Sequence, residues 1–470
     1  MKIFNDPIHG YLEMKPALTA IIDTPEFQRL RNLKQMGLTS FVYPGGTHTR
    51  FAHSLGVSHL AGKLLRAIKE NQPDLNMEEK DVLCVEIAGL CHDLGHGPFS
   101  HLFDGDFIPR ATAGNPNPEN WTHERGSLKI FDLMIKNNGL MERGGALKKE
   151  GLDEVDITFI KEQIFTKKIQ NKGFEGRNGE KMFLYEIIAN SKTNIDVDKW
   201  DYLARDCFHL GLTNSFSEKR LMKYARVLED GDHEWQICLR DKVVNDLYEM
   251  FTTRYKIFHS VIHHRVKQAL DIMMLDALLA ANDHLALLWN DESIEGKKIS
   301  DCINDMEMYT RLHDGIMYQI LNSKHKELEK SRSIIQRMLR RDLYQMVVET
   351  EPFNPDEFQG LDEKRNYNGK EIKSQMKQNL KEDVLDTFEV EVCKYDFGMG
   401  KQNPLSKLKV YTRNDLNKAV APPAPMLMME PKVFRESRIR VFCRSNEFKE
   451  EITKAFNEWW EEEKLTRKKK

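Results

Sequence analysis

The sequence predicts a mainly α fold with a smaller α+β lobe at its C-terminal end. Three observations carry that expectation. Apolar residues recur at helical spacing through most of residues 1–350, and the run Val82-Leu83-Cys84-Val85-Glu86-Ile87-Ala88-Gly89-Leu90 is apolar enough to be buried all round. Past residue 386, three stretches alternate with the period of a half-buried strand: Thr387 to Val392, Leu405 to Tyr411 and Arg438 to Cys443. Between the two regimes, Glu351 to Lys373 turns polar, as a linker between lobes does. We therefore expect one domain over 1–350 and an α+β lobe over 351–470, closed by an amphipathic helix with Trp459 and Trp460 and a solvated basic tail, Arg467 to Lys470.

Composition narrows the function classes. The chain has 470 residues, 40% of them hydrophobic, enough for a large core. Its formal net charge of -3 gives no overall basic field for nucleic acid or membrane, so an anionic ligand must be held by local clusters. No stretch approaches the roughly 20 apolar residues of a membrane span, and Met1 to Asp6 has no apolar signal core. Seven cysteines without a Cys-x-x-Cys pair argue against a disulfide framework and a thiolate zinc site, and for a reducing compartment.

Taken in order, residues 1 to about 45 mix short elements with turns, and Phe27 to Met36 has the spacing of a solvated amphipathic helix. Arg50 to Gly62 opens another helix with His53 near its start. The stretch Leu90 to Asp104 then packs His92, His96, His101, Asp93 and Asp104 into a turn where Gly95, Gly97 and Pro98 stop the preceding helix, leaving His92 and Asp93 in its last turn. Pro109 to Asn120 reads as a polar, proline-bearing loop, Lys167 to Lys181 as an exposed one, Thr122 as a helix N-cap, and Phe183 to Ile188 as a short helix. Four aspartates follow within eleven residues, Asp196, Asp198, Asp201 and Asp206; on a helix Asp198, Asp201 and Tyr202 share a face. An acidic first turn favoured by the helix dipole explains Asp196 and Asp198 but not Asp206. Trp235 to Leu239 alternates as a strand, and His259, His263 and His264 read as part of a basic helix face. His313-Asp314 repeats the His-Asp dipeptide with no cluster around it, and reads as a helix end facing water.

Two imidazoles and two carboxylates, His53, His92, Asp93 and Asp198, suit one Fe, Mn or Zn ion with positions left for water and substrate. Such an ion acidifies water and polarises a phosphoryl oxygen, so hydrolysis is the chemistry to expect. His96, His101, Asp104 and His123 stand beside it as proton donors and acceptors, which an alkoxide leaving group requires. Arg50, Lys199 and Arg254 are the cations available for a polyphosphate.

A His, then His-Asp, then a distant Asp is the pattern of the HD-domain metal-dependent phosphohydrolases. The phrases Phe4 to Gly10, Arg50 to Gly56, Gly89 to His101 and Ile195 to Tyr202 resemble, more closely, the animal SAM-and-HD-domain deoxynucleoside triphosphate triphosphohydrolases. The resemblance is dense to about residue 265 and thinner beyond; the family's sterile-alpha-motif domain is not among these residues. It implies an HD-domain helical core that cleaves a dNTP, accompanied by Mg²⁺, at the α-phosphorus to give deoxynucleoside and triphosphate. By that resemblance His101 is the acid, supported by His96, Asp104 and His123. Gln35, Tyr202 and Asp206 hold the sugar 3′ hydroxyl, Tyr202 also crowds the 2′ position, and Met36 joins the substrate contacts.

The resemblance also implies activation by GTP and a dNTP with assembly of a homotetramer, weak single-stranded nucleic-acid binding, and a nuclear or cytoplasmic location. Asp23 and Arg31, with Gln28 beside them, then read guanine, and Lys2, Ile3, Asn5, Arg29, Val42, Arg220, Arg240, Lys242, His264 and Arg265 match further activator contacts. The chain departs from the family at Ile262, His263, Phe258 and Asp246, and at Ala421 and Ala424, where a basic pair on activator phosphates is expected. Two other readings stay open: another HD-clan hydrolysis, of a monophosphate or cyclic nucleotide, and a single-stranded nucleic-acid binder with a structural metal.

Overall fold

The computed structural model describes residues 1–113, 121–166, 173–231, 234–354, 368–377, 380–422 and 431–468. Ala424, most of the polar stretch 351–373 and the end of the basic tail lie outside the described residues. The chain divides into two compact units and passes between them several times. Met1–Thr253, Ala281–Ile320 and Pro404–Glu430 make the first; Arg254–Ala280, Leu321–Asn403 and Pro431–Lys470 make the second.

The first unit begins with an antiparallel hairpin, Lys2–Asp6 against Gly10–Met14, whose turn is closed by Gly10 at φ 76° and by the Asp6 carboxylate accepting from the Ile8 and His9 amides. The helix expected over Phe27 to Met36 is not there. Pro25–Gln28 makes one α-turn capped by Thr24, Arg29–Asn32 tightens to a 3-10 turn, and Leu33 is extended. The reason is Arg29, which turns inward and donates to the carbonyls of Leu312, Leu94 and His96. Its inward side chain replaces the solvated face that the spacing suggested.

Two buried helices follow, Arg50–Asn71 and Glu79–Cys91, the second opened by reciprocal caps from Glu78 and Asp81. They approach closely at Gly89, where a Cβ would lie 3.2 Å from the Ser58 backbone. Leu60, Leu64, Val85 and Ile87 fill the space around them. The helix Val197–Leu210 packs on Arg50–Asn71, capped by Asp196 at its start and by left-handed Gly211 at its end. The stretch expected as a helix at Phe183 to Ile188 is a 3-10 run, Gly179–Glu186, pinned by the Tyr185 hydroxyl on Glu162 and by Glu186 accepting from the Ile237 amide. Ala225–Glu229 and Trp235–Arg240 pair antiparallel, and Val410–Tyr411, all that remains of the expected strand from Leu405, adds parallel to the second.

In the second unit, Gln345–Glu349 and Phe388–Asp396 flank Arg435–Cys443 in an antiparallel sheet. This pairing puts residues before 351 into the C-terminal sheet, because a strand stays where its backbone groups are satisfied. Phe388, Val390, Ile439 and Val441 share a core with Ile452, Phe456, Trp459 and Trp460 of the helix Lys449–Lys468. His259 and His263, expected on a basic helix face, lie on and just after a π-turn, Phe258–Ile262, and pack against the Tyr395 ring. The run Arg265–Trp289 reaches a mean hydropathy of 1.3 over a span-length stretch, against the expectation that no stretch would approach one. Its Leu270, Met273, Met274 and Leu278 are buried within the fold, which is where a core helix gets such a composition.

Candidate active site

Three elements of the first unit bring the predicted ligands together. His53 comes from the first turn of Arg50–Asn71, His92 caps the C-terminus of Glu79–Cys91, and Asp198 sits in the first turn of Val197–Leu210. The donor atoms of His53, His92 and Asp198 lie within 4.8 Å of one another. Both imidazoles are oriented from behind. His53 Nδ1 is 2.8 Å from Asp201 Oδ2 and His92 Nδ1 is 2.8 Å from the Gly89 carbonyl, which places a proton on each Nδ1 and aims both Nε2 atoms inward. Those Nε2 atoms lie 3.0 and 3.5 Å from Asp198 Oδ1, and His92 Nε2 is buried with no hydrogen-bond partner. Asp93 completes the ring at 3.4 Å from His92 and 3.7 Å from His53, its other side held by Arg50. Two imidazole nitrogens converging on carboxylates, with a buried nitrogen left over, fit a divalent transition ion.

Electrostatics agree with the geometry. Burial lowers the His53 pKa, but its bonds to Asp198 and Asp201 carry it up to about 10. Burial raises the Asp198 and Asp93 carboxyls, yet the surrounding imidazoles and, for Asp93, Arg50 hold both below the usual carboxylate range. Asp201 is fully buried and accepts from His9, His53 and Arg205, whose third donor reaches Asp6. This approach needs Gly56, since a Cβ there would fall 1.8 Å from the Asp201 oxygen.

Beside the ligands stands the second cluster. His123 Nδ1 is 2.6 Å from Asp104 Oδ2, His101 Nδ1 is 3.7 Å from Asp104 Oδ1, and the His96 and His123 rings stack at 3.9 Å. Burial and the nearby Arg50 and His123 push His96 well below its ordinary value, so it is neutral; burial also lowers His123, but the bond to Asp104 together with the charges of Glu124, Asp104 and Asp93 raises it. The His101 side chain is 74% exposed, which leaves it open to a ligand. Thr122 caps the helix that carries His123, with Arg125 at the third position.

The remaining predicted residues divide by what they touch. The buried Gln35 Oε1 has no partner, next to buried Met36. Asp206 is held by His48 at 2.7 Å, Tyr202 is half-buried on the same helix, and Lys199 lies on Asp196 at 3.1 Å. Arg50, expected on a polyphosphate, is buried beside the ligands, bonding Asp93, Ser100 and the Gln35 carbonyl. Arg29, expected among activator contacts, is buried on the carbonyls already named. Arg254 lies in the second unit, on Asp396 at 2.9 Å. At the surface, Lys2 meets Asp23 at 2.5 Å, Gln28 donates to the Ile22 carbonyl and accepts from Arg31, and Ile3 and Asn5 are exposed with Val42 half-buried. Arg220 is paired with Asp246 at 2.7 Å, Lys242 donates to the Tyr224 hydroxyl, Arg240 lies 3.4 Å from Asp241, and in the second unit His264 accepts from Val266 while Arg265 is exposed.

Sequence reasoning missed Asp201, His9 and Asp314. Asp201 had a signal, its place one turn from Asp198; His9 had none beyond its phrase. Asp314 does not face water: its carboxylate accepts from the Phe99 and Lys34 amides at 2.7 and 2.9 Å, in a turn before the helix Ile316–Asn322.

The HD-domain profile matches residues 50–206, which contain all four predicted ligands. The deoxynucleoside triphosphate triphosphohydrolase SAMHD1 of Bos taurus is 45% identical over 469 residues, covering 96% of this chain and 76% of the relative. Its counterpart in Homo sapiens is 44% identical over 463 residues, covering 94% and 70%. A homologue in Dictyostelium discoideum is 36% identical over 460 residues, covering 97% and 80%.

Proposed function

The chain belongs to the SAMHD1 family of HD-domain deoxynucleoside triphosphate triphosphohydrolases, and from that premise we propose that it hydrolyses a dNTP to deoxynucleoside and inorganic triphosphate. The observation that carries the reading is the pairing of two imidazole Nε2 atoms, oriented from behind and aimed at Asp198, with an exposed His101 beside Asp104. His53, His92, Asp93 and Asp198 would hold a divalent ion, which would supply Lewis acidity for water and for a phosphoryl oxygen. Zn, Fe or Mn suits the two nitrogens, and Mg²⁺ accompanies the nucleotide phosphates. His101 gives the proton that the departing 5′ oxygen needs. Asp104 steadies that imidazole, and neutral His96 with the His123–Asp104 pair keeps it in place. The unpartnered Gln35 Oε1 accepts from the sugar 3′ hydroxyl, with Tyr202 and Asp206 closing on the ribose, and Lys199 leaves Asp196 for phosphate.

Regulation is part of the proposal. Opening the exposed Lys2–Asp23 pair frees a carboxylate for the guanine N1 and N2 donors and a lysine for phosphate, while Arg31 and Gln28 face the same edge. GTP with a dNTP then drives a homotetramer. The Arg220–Asp246 pair neutralises one expected phosphate contact, so the second activator site binds more weakly than the first. Incubation with dGTP and Mg²⁺, with and without GTP, followed by phosphorus NMR and light scattering tests both parts. Tripolyphosphate as first product is expected, faster and tetrameric with GTP. Orthophosphate or pyrophosphate as first product refutes the reaction; an unchanged mass and rate refute the regulation.

A further inference from the structure

The second His-Asp dipeptide of the chain sits behind the site loop, in a segment that grips it at successive points. The Tyr309 hydroxyl donates to the Gly95 carbonyl at 2.8 Å. The Leu312 carbonyl accepts from Arg29, whose other two donors reach the Leu94 and His96 carbonyls at 3.1 and 2.7 Å. Asp314 then joins two strands of chain that are 65 residues apart in sequence: one oxygen takes the Phe99 amide at 2.7 Å, the other the Lys34 amide at 2.9 Å. Phe99 and Ser100 both have φ of 60°, a conformation that residues with a Cβ rarely adopt and that persists only when neighbours over-determine it. Ser100 adds a second tie between the same strands, donating to the Lys34 carbonyl at 2.9 Å and accepting from Arg50, the residue that holds Asp93. The residue after this strained pair is His101, and the residue after Lys34 is Gln35.

We propose that Asp314 is a positioning residue for the reaction: its bidentate grip on the Phe99 and Lys34 amides sets where His101 delivers its proton and where Gln35 meets the sugar. The inference rests on His101 acting as the acid under the proposed function. A carboxylate is suited to the task because it accepts from two backbone donors at once and offers none of its own. Asp314→Asn keeps the volume but turns one oxygen into a donor facing a donor, so one of the two ties is lost whichever way the amide lies.

The test compares two substrates on the full chain. dGTP releases an alkoxide that must be protonated, whereas p-nitrophenyl triphosphate releases a phenolate that leaves without help. Asp314→Asn is expected to bind metal in the wild-type ratio and to lose about ten- to a hundredfold in kcat on dGTP, as a displaced acid does. On p-nitrophenyl triphosphate it loses no more than about threefold, because the acid is not used there. Equal losses on the two substrates, or no loss on dGTP, overturn the proposal. Should Asp314→Asn fail to fold, Asp314→Glu keeps a carboxylate but shifts its two acceptors by one carbon, and must show the same split. Wild-type protein that releases no triphosphate from dGTP refutes the proposed function alone; the same comparison is then made on the alkyl phosphate ester it does cleave and the matching p-nitrophenyl ester.

Discussion

Asp201 offers the sharpest quantitative test of how this centre is held. Its Oδ2 takes the His53 Nδ1 proton at 2.8 Å and Arg205 Nε at 2.8 Å, while Oδ1 takes His9 at 2.6 Å and Arg205 Nη2 at 2.9 Å. In Asp201→Asn, either orientation of the amide sets an NH₂ against two of these donors. With the NH₂ on the Oδ2 side, His53 loses the acceptor that fixes its tautomer. Loss of such an outer partner costs metal sites about 10- to 100-fold in affinity, or ~1.4 to 2.7 kcal/mol. The fold loses more. Arg205 is fully buried and keeps only Asp6 as a charged partner, and breaking a buried ion pair costs about 3–5 kcal/mol. Competition with a metal-sensitive chelator gives the affinity of the folded variant, and thermal unfolding with and without added metal gives the stability. Asp201→Ala removes the acceptor in every orientation, so an affinity within about twofold of wild type in that folded variant would show that Asp201 does not orient His53, and the account of the centre would fail.

Three further outcomes follow from the same geometry. Although burial lowers it, Asp198 and Asp201 carry the His53 pKa to about 10, and Asp93 and Asp198 raise His92 as well, so protons compete with the ion and metal affinity should rise at least about tenfold per pH unit between about pH 6 and 8; a flat profile in chelator competition contradicts this. His101→Ala removes an exposed side chain, so it should unfold at the wild-type temperature and bind metal normally while losing about 10²- to 10⁴-fold in kcat on dGTP, read by triphosphate release. Glu186 tests burial rather than catalysis. Burial pushes its carboxyl from 4.5 up to about 7 against the Ile237 amide and Lys192, so the unfolded chain gives up that proton first. Stability is therefore lost as pH rises through that window, by up to about 3 kcal/mol, and Glu186→Gln should unfold at a higher temperature than wild type at pH 8 but not at pH 5.

Much of the site was legible because its signals are local. The apolar run before His92, the glycines and proline after it, and the spacing of Asp198, Asp201 and Tyr202 each report on one helix or one turn, and the structure places those elements where the spacing puts them. Errors arose where a polar residue was assigned to solvent by its neighbours' pattern. Arg29 looks like a surface cation in sequence and is buried, because loop carbonyls from elsewhere in the chain meet its donors. The 3-10 run at Gly179–Glu186 had helical spacing too, and its tighter turn goes with anchors on Glu162 and Ile237 that no window of sequence contains.

By itself, then, the sequence determined the mainly helical build, two of the three strands of the C-terminal sheet and the inventory of imidazoles and carboxylates, since periodicity and turn chemistry depend only on nearby residues. Tertiary structure alone decided which of them meet. His53 and Asp198 are brought to 3.0 Å across 145 residues of chain, and one His-Asp pair faces them while the other, at Asp314, braces the loop from behind. The physical reason is that a buried polar group must find its partner wherever the packed chain supplies one, and that partner is fixed by the fold rather than by distance along the sequence.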